Sequence, residues 1–194
     1  MSEIGYKNEA LQLTDDQLLQ NIRGLQQESN IHQSDALVES LGRVSLDVEM
    51  GFIKGQEDVM TLEAALLRHI IATVEKDCAH ELQLLNAVNP VLPEQVPAWK
   101  LSEVHEILFE NGLCEADHRG EDDLAPEEER AICKYAYDKY GSDFVFVTHF
   151  PSEHRAFYAM DDPEDPSLTL SFDLLMRGLE ITSGGQRIHK EADY

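Results

Sequence analysis

Strict alternation is the feature that most constrains this chain. From Val44 onward the apolar residues Val44, Leu46, Val48, Met50 and Phe52 are separated by Ser45, Asp47, Glu49 and Gly51. This is the strongest period-two run in the sequence, and it predicts a strand with one dry and one polar face. Two shorter runs repeat the pattern. Leu168, Leu170, Phe172 and Leu174 alternate with Thr169, Ser171 and Asp173, and Leu179 and Ile181 flank Glu180, with Thr182 following and Ser183-Gly184-Gly185 ending the strand. Phe144 to Phe150 is almost continuously apolar, which predicts a buried central strand. Ala98 to Lys100 and Arg155 to Met160 read as short strands.

Between these lie helical segments. Residues 57–85 carry Val59, Leu62, Leu66, Ile70 and Val74 at helical spacing, predicting one long amphipathic helix. Asn89-Pro90 through Pro97 is a proline-bearing connection. Ser102 is placed to cap a helix ending at Asn111-Gly112. After the polar loop Glu121-Asp122-Asp123, Pro126 opens a helix that runs to Tyr140-Gly141. Near the start, Thr14 and Gln17 form a capping box ahead of Leu18, Leu19, Ile22 and Leu25, and Asp35 to Leu41 reads as a second short helix. Residues 1–42 are therefore expected to be a helical lead-in without chemistry, and residues 43–194 the core. Helices inserted between strands, rather than alternating with them one for one, predict an α+β fold with a mostly antiparallel sheet flanked by helices.

The chain has 194 residues, 42% of them hydrophobic, which suits one globular domain. Its 38 acids against 15 bases give a formal charge of −23, and no Lys/Arg cluster offsets it. Such a surface repels phosphates, so tRNA or other nucleic acid is not expected to bind this chain alone. Three widely spaced cysteines, Cys78, Cys114 and Cys133, argue against a disulfide framework or a zinc ribbon. The first residues lack a signal-peptide pattern, and no apolar run is long enough to span a bilayer. A cytoplasmic protein with no membrane contact is expected.

The placement of the acids is the chemical signal. The polar faces of the three alternating runs carry Asp47 and Glu49, Asp173, and Glu180. If the strands share a sheet with helices over the apolar side, the other side is a cleft floored by carboxylates. Carboxylates packed together are tolerated where a hard cation or a cationic substrate group sits among them. Arg155 and Arg187 lie near these segments, and either could pair with an acid or receive a substrate carboxylate in bidentate fashion. The wet face of an ordinary antiparallel sheet gives the same pattern, and periodicity alone leaves both readings open.

Three stretches resemble the aspartyl-tRNA synthetases of the archaeal and eukaryotic type, class II enzymes of the aspartate, asparagine and lysine subgroup. Ser45-Leu46-Asp47-Val48-Glu49-Met50 resembles the strand closing the second class II motif. Asp143 to Val147, with Arg155-Ala156-Phe157-Tyr158-Ala159-Met160, resembles a second characteristic stretch. Ser171-Phe172-Asp173 through Met176-Arg177-Gly178-Leu179-Glu180-Ile181-Thr182-Ser183-Gly184-Gly185-Gln186-Arg187-Ile188-His189 resembles a third, long and highly specific. The resemblance runs from about residue 44 to the end and implies an aspartate–tRNA ligase-like core that binds aspartate and ATP with Mg²⁺. It implies that Asp173 and Glu180 hold the metal against ATP phosphates on neighbouring strands joined at Arg177-Gly178. Ser183 would assist at the metal, and Glu180 and Ser183 would be catalytic. Arg187 would clamp the aspartate side-chain carboxylate, a task suited to a planar fork. Asp47 and Glu49 would face amino acid and ATP, and Tyr158 would stand beside the amino acid pocket.

The resemblance also carries departures. Where the family places the stretch with an adenine-stacking phenylalanine, this sequence reads Glu39-Ser40-Leu41-Gly42-Arg43 without an aromatic, and the phenylalanine-arginine-x-glutamate element whose arginine faces the α-phosphate, together with motifs 1 and 3, is expected to be absent. Adenylate formation depends on positioning and on neutralising phosphate charge. The expectation is a core inactive or weak alone, completed by a helper chain or working as a homodimer. The alternatives are a non-enzymatic interaction protein that reuses the fold, and a gene fragment. The eight histidines show no HxH or HExxH spacing and are expected in structural roles. Trp99 is expected to pack, Cys114 and Cys133 to be inert, and Glu127-Glu128-Glu129 to serve only the dipole of their helix.

Overall fold

The computed structural model describes residues 46–114 and 117–190. The helices expected within residues 1–42 lie outside these, as do Val44 and Ser45. The chain divides into two units. The first includes Leu46–Glu49 and residues 78–88, with helix α2 at Ala79–Leu84. The second holds α1 (Gln56–Asp77), β1 (Ala98–Lys100), α3 (Leu101–Glu110), α4 (Pro126–Tyr140), β2 (Phe144–Thr148), β3 (Ser171–Met176) and β4 (Leu179–Gly185). The helix expected over 57–85 is thus two helices, separated at Cys78. None of the described helices is long and apolar enough to cross a membrane.

The sheet order is β1-β2-β3-β4. The β2–β3 and β3–β4 pairings are antiparallel, but β1 runs parallel to β2, so the sheet is mixed rather than mostly antiparallel. Connectivity is the reason: α3 and α4 lie between β1 and β2 in the chain, and a crossover of that length returns the strand in the same direction. The run beginning at Val44 yields no strand among its described residues. Leu46, Val48, Met50 and Phe52 are exposed instead of sharing a dry face. Alternation becomes a strand only where a neighbouring edge accepts its hydrogen bonds, and none does so here among the described residues. Arg155–Met160 is likewise not a strand: a 3-10 turn at Ser152–His154 leads into it, and only Ala159 bridges, to Arg187. Leu168 and Thr169 make isolated bridges, so the strand expected from Leu168 begins at Ser171.

Helices cover both faces of the sheet. Phe144, Phe146, Phe172 and Leu174 form one face, packed by Val59, Met60, Leu67 and Ile71 of α1. Of the expected stripe only Val59 packs here; the helix otherwise turns Met60, Leu67 and Ile71 to the sheet, and Leu62, Ile70 and Val74 stay exposed. The other face, Val145, Val147 and Leu175, packs Leu101, Val104 and Leu108 of α3 and Ile132, Cys133 and Ala136 of α4. Trp99 joins this layer, its ring 6.1 Å from Tyr135 and 5.7 Å from Tyr140. The central strand β2 is buried throughout, as its apolar run predicts, and it ends before His149, whose φ is 59°. Glu103, not Ser102, caps α3, its carboxylate accepting the Lys100 amide at 2.8 Å. Gly112 and Gly141 end α3 and α4 in the left-handed conformation, φ 61° and 65°, as expected of C-terminal glycines.

Candidate functional site

Asp173 lies at the centre of β3 opposite Ser183 of β4. Directly opposed residues share a face, so both stand on the side that α3 and α4 cover. Regular pairing beyond this point would set Ile181 opposite Leu175 and turn Glu180 to the other side. A bulge between Leu174 and Leu175 intervenes, and Leu175 pairs with Glu180. The extra residue resets the two-residue period and brings Glu180 onto the face of Asp173 and Ser183. Arg177 and Gly178 form the intervening turn with φ of 53° and 82°, the two positive values that a tight two-residue hairpin requires.

Arg155 reaches this face from the loop after the 3-10 turn. Its Nη2 donates to Asp173 Oδ2 at 2.6 Å and its Nη1 to Asp173 Oδ1 at 3.2 Å. Nη1 also donates to Ser183 Oγ at 3.3 Å, and the guanidinium carbon lies 3.8 Å from the centre of the Phe150 ring. Other acids crowd the same region. Glu180 is exposed overall, but partial desolvation of its carboxyl raises it above its ordinary range, the charge of Asp173 adds to this, Arg155 opposes it, and Glu129 and Asp123 add further. Glu129, in the first turn of α4, is raised by burial, then by Asp123 and Asp173, against Arg130. Asp123, Glu129, Asp173 and Glu180 thus share one field, with Arg155 as the cation hydrogen-bonded to Asp173.

Arg187 follows the end of β4. Its guanidinium carbon is 5.3 Å from the centre of the Tyr158 ring, and Ile188 N donates to Tyr158 O at 2.9 Å. The backbone of residues 186–188 is tied to that of 158–160, Met160 N donating to Gln186 O at 2.9 Å. The expected pair of a carboxylate-binding arginine and its neighbouring tyrosine is therefore together. Asp47 and Glu49 belong to the first unit, on exposed backbone outside any strand. The structure gathers Asp173, Glu180 and Ser183 on one strand pair; it does not extend the sheet to Asp47 and Glu49.

Expectations based on alternation miss Glu129 and Asp123. The helix-dipole role assigned to Glu127-Glu128-Glu129 holds in part: Glu128 accepts the Ala125 amide at 2.9 Å. Glu129, one residue on, feels the charges of Asp123 and Asp173 instead. A helix turns about 100° per residue, so neighbouring acids in a first turn need not share a task. Among the described residues, the His, Cys, Asp or Glu side chains whose ligand atoms gather three together within 4.8 Å are His118, Glu121 and Glu128, not the acids around Asp173. There Glu128 is already bonded to His118 Nδ1 at 3.0 Å and to Ala125. Burial pushes the Cys133 thiol up to about 11, so it is no thiolate near neutrality.

Comparison with known proteins places the chain in a family. The family described as "tRNA synthetases class II (D, K and N)" matches residues 41–194. The aspartate–tRNA(Asp/Asn) ligase of Thermus thermophilus is 45% identical over 159 residues, covering 82% of this chain and 36% of that protein. The ligase of the same name from Deinococcus radiodurans is 44% identical over 151 residues, covering 75% and 34%. Among solved structures, the aspartyl tRNA synthetase from Entamoeba histolytica superposes with a TM-score of 0.65 at 27% identity, covering 74% of this chain and 30% of that one. The chain spans about a third of the length of the curated relatives it matches.

Proposed function

The chain belongs to the class II tRNA synthetases of the aspartate, lysine and asparagine group, and from that premise we propose that residues 43–194 are an aspartate- and Mg–ATP-binding catalytic core of aspartate–tRNA ligase type, working in the cytoplasm behind a helical lead-in at 1–42. The observation that carries this reading is the convergence of Asp173, Glu180 and Ser183 on one face of the β3–β4 pair, produced by the bulge. The donor set fits a hard divalent cation. It consists of two carboxylates and a hydroxyl, with Glu180 held above its ordinary range first by burial and then by the charge of Asp173. Bound there, the ion would neutralise charge on the ATP phosphates. Arg187 would fork onto the side-chain carboxylate of aspartate beside Tyr158, and Asp47 and Glu49 would serve the amino acid and nucleotide.

Adenylate formation by this chain alone is proposed to be absent or weak. Arg155, the cation hydrogen-bonded among the acids, is committed to Asp173. The charge of −23 also opposes an approaching polyanion such as tRNA. A helper chain or a second copy would then supply the missing positive charge. Calorimetry with aspartate, ATP and Mg²⁺ tests binding: heat with millimolar aspartate is expected, and silence removes the binding assignment. Aspartate-dependent ATP–pyrophosphate exchange, with and without tRNA, tests competence, and robust exchange by the chain alone would overturn the claim of weakness. A second reading, a non-enzymatic interaction protein on the same fold, is favoured by the open side chains of Phe52, Phe157 and Leu179. A stable protein that binds none of the three ligands would favour that reading.

A further inference from the structure

We infer that Arg155 is the resident counter-ion of Asp173, and that a divalent cation enters the acid site by displacing it. This rests on the metal assignment proposed above and concerns how that site is regulated. One guanidinium engages both oxygens of Asp173 and the hydroxyl of Ser183, with donor–acceptor distances of 2.6, 3.2 and 3.3 Å. Two of the three oxygen-donor residues assigned to a cation are therefore occupied by Arg155. The pair is shielded, with side-chain exposures of 19% and 10%, so water competes weakly for it and the bonds are of the strong, charge-assisted kind. The Phe150 ring 3.8 Å from the guanidinium backs the fork. Arg155 itself sits on loop backbone outside every strand of the sheet, so it can leave Asp173 without breaking a ladder. Removing it would free the oxygens and also take a positive charge from a field shared by Asp123, Glu129 and Glu180. Both effects favour an incoming cation.

The test uses the full chain with Mn²⁺ as probe, its binding followed by calorimetry and by the electron paramagnetic resonance of the free ion. Arg155→Gln is expected to bind Mn²⁺ about tenfold more tightly than the unaltered chain, the scale of one charge-assisted contact. Without metal it should melt at a lower temperature, and Mn²⁺ should raise its melting temperature more than that of the unaltered chain. Adding Asp173→Asn to Arg155→Gln should abolish the gain. Arg155→Lys keeps the charge and loses the fork, and an increase of about threefold is expected; this variant carries the test if the glutamine variant does not fold. Measurable binding to the unaltered chain with equal or weaker binding to the variants would overturn the displacement while leaving the metal assignment standing. Absence of Mn²⁺ binding in every variant would overturn both.

Discussion

Asp143 accepts Arg177 Nε at 2.9 Å and Nη2 at 3.1 Å, and its Oδ2 also accepts the Val91 amide at 2.7 Å. Burial alone would raise this carboxyl, but the Arg177 fork and the Val91 amide outweigh it and hold it below its ordinary range. Because the folded pKa is depressed, the contribution to stability is full above the unfolded carboxyl range and is lost as pH falls through the folded value. Asp143→Asn should therefore cost about 2 kcal/mol in urea denaturation at pH 7, toward the low end for a charged hydrogen bond because Arg177 is 44% exposed. The deficit should shrink as the pH is lowered below about 4. Asp173 has a similar fork but stands among further acids, where the same geometry leaves a partner that a cation can replace. At Arg187 the expected task is binding. Arg187→Lys should weaken aspartate binding in calorimetry by about tenfold, since an ammonium cannot reproduce a bidentate fork, and should leave the melting temperature nearly unchanged. A loss of stability equal to the loss of affinity would make Arg187 a structural residue.

The β3–β4 hairpin shows which parts of the fold the sequence reveals and which it hides. Alternation in Leu170, Phe172 and Leu174 and the Arg177-Gly178 turn make the two strands legible, and with them the neighbouring positions of Asp173 and Glu180. The bulge that gives Glu180 its face is not legible, because an extra residue in one strand exists only relative to its partner's register. The run at residues 44–52 illustrates the converse, a strong pattern with no described strand to receive it. In α1 the sequence offers apolar residues on more than one stripe, and the sheet selects Met60, Leu67 and Ile71 over Leu62, Ile70 and Val74. Periodicity gives the element; only the partner surface gives its rotation. Gly178 is a point where element and neighbour meet. A Cβ there would stand 2.5 Å from Arg130 Cγ and 2.8 Å from Arg130 Cα, at a φ of +82°. Gly178→Ala should cost at least about 2 kcal/mol in urea denaturation, from left-handed strain plus the close approach of α4. A cost of a few tenths would mean that the hairpin tip can move away from α4 freely.

At the scale of the molecule, charge dominates. A formal charge of −23 over 194 residues makes the folded state repel itself, and salt relieves this repulsion. Part of it is concentrated in the acid site, where Glu180 and Glu129 are both held above their ordinary range, first by burial and then by neighbouring carboxylates. Their linkage runs opposite to that of Asp143. A raised folded pKa means that the folded protein binds protons more readily than the unfolded chain, so the penalty is complete above the folded value and fades as pH falls through it. Between neutrality and about pH 5 the melting temperature should therefore rise on acidification, before Asp143 and other paired acids begin to lose their contribution. Glu180→Gln should raise the melting temperature at pH 7 and flatten its dependence on pH over that interval. Added sodium chloride should raise the melting temperature of the unaltered chain at pH 7, and by less in Glu180→Gln, because one of the repelling charges is gone. A Glu180→Gln protein that melts lower than the unaltered chain at pH 7 would mean that the glutamate is bound by a compensating cation, and the acid face would then have to be described as balanced rather than open to one.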